Sequence, residues 1–192
     1  MQRMKERSDE DQLAIHLANN FAPVWEIDHA PRISLARKYV AGAIETFGRK
    51  VTILDLGVGS GDISGPFSDD HRVVGIDLVD ESRVICAERF PNMEHVVSTL
   101  EDAPAIECDI LIACEVLEHL ADPVATYRKF ASRASAMVVG HPLDEPDPSE
   151  EFFHLWRYDI DDFTTWFTGH EIRDFEIFAM GGFPQMILGW GR

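Results

Sequence analysis

The stretch VTILDLGVGSGDIS, Val51 to Ser64, decides how this chain is read. An apolar run ends in Asp55, and glycines follow at positions 57, 59 and 61, spaced DxGxGxG. That is not the GxGxxG of dinucleotide binding, whose third glycine comes one position later. Glycines directly after a strand permit unusual backbone angles, and they let a ligand approach the main chain with no Cβ in the way. The next apolar run, RVVGIDL, reaches Asp77, where a carboxylate can accept hydrogen bonds from both hydroxyls of a ribose. A glycine-rich loop on one strand end and an acid on the next ask for a nucleoside.

Outward from this stretch the pattern repeats. Short apolar runs at 51–56, 72–78, 93–97, 108–114, 136–142, 171–180 and 183–190 read as seven strands. The first five alternate with crossover segments, which predicts a parallel sheet with helices on both faces. The last two are joined only by GGFP, which predicts an antiparallel pair. Ahead of the sheet, DQLAIHLANN (11–20) and HAPRISLARKYVAGAIETFG (29–48) carry apolar residues at helical intervals, and the second stops at Gly48. With no repeats and no linker, residues 1–192 read as one doubly wound α/β domain. Residues 1–50 supply leading helices, 51–142 the ligand-binding core, and 143–192 a lid segment, a helix and a C-terminal hairpin.

Composition narrows the partners. The 192 residues are 45% apolar, as expected of one globular domain. A net charge of −17 repels phosphate backbones, so a nucleic-acid partner is disfavoured, and Arg32, Arg37 and Lys38 read as a solvated helix face. Cys86, Cys108 and Cys114 form no CxxC pair and read as reduced core thiols. No apolar run approaches the roughly 18 residues of a membrane span, and the polar N-terminus is unlike a signal peptide, so a cytoplasmic location is expected.

ILDLGVGSG, VVGIDL, STLEDAP and CDILIACEVLEHLADP, in this order and at these intervals, resemble the class I S-adenosylmethionine-dependent methyltransferases. The resemblance implies a Rossmann-like fold. It also implies S-adenosylmethionine as cofactor, with Asp55, Gly57, Gly59 and Gly61 at its amino-acid end, Asp77 and Leu78 at its ribose, and Thr99 and Leu100 at its adenine. Relatives often carry an acid near the Thr99 position. Here the adenine contact is open between the Leu100 amide and Glu101 or Asp102.

In CEVLEHLADP, Glu115, Glu118 and His119 fall at i, i+3 and i+4, so a helix starting after the fourth strand would present all three on one face, at the cofactor's end of the sheet. Two carboxylates and an imidazole suit a divalent cation. His154 is the leading fourth ligand and His141 its rival. This pattern resembles the metal-dependent 2′-O-methyltransferases of RNA 3′ ends, which implies Mg2+ or Mn2+ on Glu115, Glu118, His119 and His154. The same EVLEH also resembles small-molecule O-methyltransferases of the ubiquinone-biosynthesis type. Either resemblance implies transfer to oxygen; the expected acceptor is a small molecule or a sugar, with an RNA ribose 2′-O-methyltransferase or a non-catalytic S-adenosylmethionine-binding module as the alternatives. His119 or His154 would then be the base, with Glu115 beside the cofactor and the acceptor.

Three prolines and five acids in the loop from His141 to His154 suit a mobile lid. Phe163, Trp166 and Phe167 read as helix packing, whereas Trp25 reads either as a cover for the cofactor or as an anchor for the first helix. No NPPY-like tetrapeptide follows the fourth strand, which disfavours methylation of DNA bases.

Overall fold

The computed structural model describes residues 1–3, 30–145, 154–179 and 185–192. Seven strands form one sheet: β1 (Thr52–Leu56), β2 (Arg72–Asp77), β3 (Glu94–Val97), β4 (Ile110–Cys114), β5 (Ala136–Leu143), β6 (Ile172–Ala179) and β7 (Gln185–Gly191). Their spatial order is β3-β2-β1-β4-β5-β7-β6. The first five run parallel, and β7 is antiparallel to both β5 and β6. This is the Rossmann-like doubly wound sheet expected above, with the last strand reversed. Four described helices accompany it: α1 (Ala30–Glu45), α2 (Asp80–Arg89), α3 (Pro123–Ala131) and α4 (Ile160–Thr165). The expected helix over 11–20 and Trp25 lie outside the described residues.

Parallel strands covered on both faces must be apolar on both, which is why these runs look continuous rather than alternating. Successive side chains still part to opposite sides. Leu54, Leu56, Leu111 and Ala113 join Phe130, Phe163 and Phe167 in one core. Ile53, Ile110 and Ile112 join Ala36, Tyr39, Val40 and Ala43 of α1 in the other. Those four α1 positions are one helix face, and the helix ends where Gly48 takes φ 61°, a left-handed conformation that costs glycine little. Phe163, Trp166 and Phe167 are buried in the first core, as their spacing predicts. All three cysteines are free and buried, and burial pushes the Cys86 and Cys108 thiols up to about 12.

Strand order reverses between β1 and β4, because β1 leads outward to β2 and β3 on one side while β4 and β5 lie on the other. Ligands of such sheets bind beyond the carboxyl ends at this switch point. The glycine loop, Asp77, Ser98–Leu100 and Glu115 all sit on those ends.

Candidate functional site

The loop after β1 is held from below. The Gly57 and Val58 amides donate to the Ile76 carbonyl at 2.9 and 3.1 Å, tying it to the end of β2. Gly57, Gly59 and Gly61 take φ of 66°, 53° and 75°, so the glycines answer a backbone need as well as an open surface. A Cβ at Gly57 would lie 2.8 Å from Val116 Cγ2, and one at Gly61 3.0 Å from the Phe90 ring. From outside, Arg89 of α2 donates to the Ser60 carbonyl and to Asp62 Oδ1, while Arg37 of α1 donates to the Asp62 carbonyl. Arg37 is therefore part of the loop's brace, and Lys38 pairs with Glu176; neither belongs to a free basic patch.

Asp77 Oδ2 accepts the Gly59 amide at 2.8 Å and Oδ1 accepts the Val79 amide at 3.0 Å. The carboxylate thus joins the loop to the start of α2, next to Leu78. Asp55, 3% exposed, has its carboxyl pushed up to about 7 by burial, and the nearby Asp77 charge adds to the rise. The Ser98 amide bonds to the Asp77 carbonyl, which carries Thr99 and Leu100 to the neighbouring strand end. There Thr99 Oγ1 receives the Asp102 amide, Leu100 is buried, and Lys129 Nζ binds the carbonyls of Leu100 and Glu101. Every residue expected at the cofactor lies along this one edge.

After β4 the chain departs from expectation. Glu115 is not the start of a helix: its φ is 56°, and its amide donates to the Gly140 carbonyl of β5 at 3.0 Å. A single 3₁₀ turn covers Leu117–His119, and α3 waits for Pro123 in its first turn with Asp122 as its cap. Glu115 and the Glu118–His119 pair therefore do not share a helix face. The Glu115 carboxylate instead meets Arg32 of α1 at 3.0 Å. Burial raises its pKa above the usual carboxyl range, and Arg32 offsets part of that rise.

Glu118, His119 and His154 do come together, with one ligand-type atom from each lying within 4.8 Å of the others. Glu118 is fully buried, and neither of its oxygens has a hydrogen-bond partner among the described residues. Burial pushes its carboxyl up to about 8, with the Glu115 charge adding to the shift. His154 is carried in by its own segment, which bonds the 3₁₀ turn through backbone carbonyls. The Leu155 amide donates to Glu118, Trp156 Nε1 to Leu120 and the Tyr158 hydroxyl to Leu117, all at 2.7–2.8 Å. The His119 and His154 rings meet edge to face, with centroids 4.9 Å apart.

His154 Nδ1 lies 2.6 Å from Glu145 Oε2, and both side chains are buried. Burial alone would lower the imidazole pKa, but the bond to Glu145 and the charges of Glu118, Glu145 and Glu115 outweigh it and raise the value. His141, the rival ligand, is excluded from the cluster. It is fully buried within β5, its ring packs against Tyr158 and Phe163, its Nδ1 lies 2.8 Å from the Pro142 carbonyl, and burial holds its pKa down at about 4.

Arg32 and Glu145 were not among the site residues expected from sequence. Both are charged residues in charged stretches, and no spacing rule separates them from a solvated face. The loop expected to act as a lid is described only as far as residue 145, at the end of β5, and again from 154.

The strand order, the DxGxGxG loop and the acid closing the second strand are those of a class I S-adenosylmethionine-dependent methyltransferase domain. Residues 53–136 match the family described as "Methyltransferase domain". The ubiquinone biosynthesis O-methyltransferase of Vibrio campbellii is 30% identical over 125 residues, which is 60% of this chain and 50% of that protein. The chain thus spans about half the length of the curated relatives it matches. Among solved structures, the magnesium protoporphyrin IX methyltransferase of Synechocystis PCC 6803 superposes with a TM-score of 0.73 at 14% identity, covering 98% of this chain and 100% of that one. The 1,6-didemethyltoxoflavin-N1-methyltransferase of Burkholderia thailandensis gives 0.71 at 16% identity, covering 98% and 91%. These two likenesses concern the fold, which serves acceptors as different as their names state.

Proposed function

We propose that this chain transfers a methyl group from S-adenosylmethionine to a hydroxyl of a small molecule or sugar. The single observation that carries the choice of oxygen is Glu118: a fully buried carboxyl with no protein partner for either oxygen among the described residues, set against two imidazoles at the carboxyl end of β4. The similarity to an O-methyltransferase over 125 residues supports the same reading. Gly57, Gly59, Gly61, Asp55, Asp77, Leu78, Thr99 and Leu100 are the proposed cofactor edge. Beside it, Glu115, held by Arg32, is the group that orients the acceptor.

Methyl transfer from a sulfonium needs little beyond alignment and a deprotonated acceptor. His119 is the better placed of the two imidazoles to take the acceptor proton, because Glu145 and the surrounding carboxylates favour the charged form of His154. The donor set also fits a hard or borderline divalent cation such as Mg2+ or Mn2+, with Glu118, His119 and His154 as ligands and Glu115 within electrostatic reach. When bound, such an ion would lower the pKa of a hydroxyl coordinated to it. The chain's net charge of −17 supports a small acceptor over a polyanion.

Titration calorimetry with S-adenosylmethionine on wild type, Gly59→Arg and Asp77→Ala tests the cofactor edge, and loss of affinity in both variants is expected. Radiolabelled methyl transfer into fractionated metabolites, glycans and RNA tests the acceptor, with and without chelation. Equal cofactor affinity in all three proteins, or label confined to RNA, would overturn the corresponding part of the proposal.

A further inference from the structure

Resting on the site proposed above, we infer that Glu145 is a positioning residue: it holds the Nδ1 proton of His154 on its carboxylate, so that Nε2 is the ring nitrogen presented to Glu118 and His119. The distance from Nδ1 to Oε2 is 2.6 Å, in the range of a charge-assisted bond, and it joins two side chains that are 7% and 3% exposed. A carboxylate buried this deeply is costly unless its partner is worth having. Glu145 has one such partner in His154, and its Oε1 makes no hydrogen bond among the described residues.

The backbone is built to deliver this carboxylate. β5 ends at Leu143, and Asp144 then takes φ 51°, a left-handed conformation uncommon outside glycine but more accessible to Asp than to most residues. The Asp144 amide donates to the Tyr158 carbonyl at 2.8 Å, tying this turn to the segment that carries His154. Glu145 thereby reaches inward although it lies in an acidic stretch, between Asp144 and Asp147. On the other side, the bonds from Leu155, Trp156 and Tyr158 fix the backbone around His154 against the 3₁₀ turn. Those bonds place the Cα, and the His119 ring packs edge to face against the imidazole. Glu145 adds the hydrogen bond to Nδ1 that sets which ring nitrogen faces Glu118 and His119.

An imidazole has two nitrogens, and which one faces a ligand or an acceptor is set by the bond the other one makes. The proton on Nδ1 is present whether His154 is neutral in this tautomer or fully protonated. The arrangement therefore holds in both charge states. When an ion or an acceptor proton competes for Nε2, only that nitrogen changes, and the ring need not turn. Carboxylates that orient metal-binding histidines in this way commonly matter by about 10- to 100-fold in metal affinity.

The experiment compares wild type, Glu145→Ala, Glu145→Gln, His154→Ala and Glu118→Gln by two readouts. Long-range 15N–1H spectra of the imidazoles, recorded in chelator, report which nitrogen of His154 carries the proton. Loss of free Mn2+ signal in electron paramagnetic resonance reports Mn2+ affinity. Wild type is expected to show a protected Nδ1 proton, Glu145→Gln to retain it because the amide oxygen still accepts, and Glu145→Ala to lose it. Mn2+ affinity is expected to fall by about 10- to 100-fold in Glu145→Ala, to recover substantially in Glu145→Gln, and to fall furthest in His154→Ala and Glu118→Gln.

If Glu145→Ala binds Mn2+ like wild type while His154→Ala and Glu118→Gln do not, the positioning role is wrong and the metal reading stands. If none of the five proteins binds Mn2+, or all bind alike, the metal reading is wrong and the spectra decide alone. A proton on Nε2 and not Nδ1 in wild type overturns the inference even if Glu145→Ala fails to fold.

Discussion

Replacing Glu118 by glutamine should make the metal-free protein less sensitive to rising pH while abolishing methyl transfer. In the folded chain the Glu118 carboxyl keeps its proton up to about 8, against an ordinary value of 4.5. Between those limits the folded state binds more protons than the unfolded state, so stability present at low pH is lost as pH rises. A fully expressed shift costs about 1.4 kcal/mol per pH unit. Glu118 shares its field with Glu115 and His154, so a pH-dependent difference of roughly 1–3 kcal/mol between pH 5 and pH 8 is expected from this group. Asp55, raised to about 7, and His154, also raised, act with the same sign, so the wild-type slope is larger and only part of it vanishes in the variant. The amide also lacks a buried partner, a penalty of about 1–3 kcal/mol that does not depend on pH. The diagnostic quantity is therefore the difference between the two curves. Urea unfolding in chelator at unit steps from pH 5 to pH 8 measures it. The stability of Glu118→Gln relative to wild type should improve steadily with pH; parallel curves would refute the claim that Glu118 is a strained, protonated acid in the metal-free fold.

Gly57→Ala places a side chain at φ 66° and 2.8 Å from Val116 Cγ2, so thermal and urea unfolding should show a loss of about 2–4 kcal/mol together with weaker cofactor binding. Wild-type stability in this variant would mean that the loop relaxes freely. Tyr158→Phe removes the buried hydroxyl that donates to the Leu117 carbonyl, at a cost of about 1 kcal/mol. Because that bond steadies the segment bearing His154, turnover should fall while S-adenosylmethionine affinity, measured by calorimetry, stays near wild type.

The sheet and the glycine loop at its carboxyl end were legible because local chemistry writes them plainly. Buried parallel strands need apolar runs, the loop needs glycines at positive φ, and Asp77 falls where a strand must end. The β6–β7 pair could be read from the short GGFP connection, and Phe163, Trp166 and Phe167 from helical spacing. The Glu118–His119–His154 cluster was half legible. The residue types announced a site, but a helix was the wrong scaffold: Glu115 stays bonded to β5 through Gly140, and Asp122 with Pro123 delays α3. That His154 and not His141 lies beside Glu118 and His119 follows from the three bonds that pin Leu155, Trp156 and Tyr158 to a turn more than thirty residues earlier. Arg32 and Glu145 lay beyond any sequence rule. Their charges carry the same letters as a solvated surface, and only long-range packing, α1 against the end of β4 and the left-handed Asp144 turn against Tyr158, brings them into contact with Glu115 and His154.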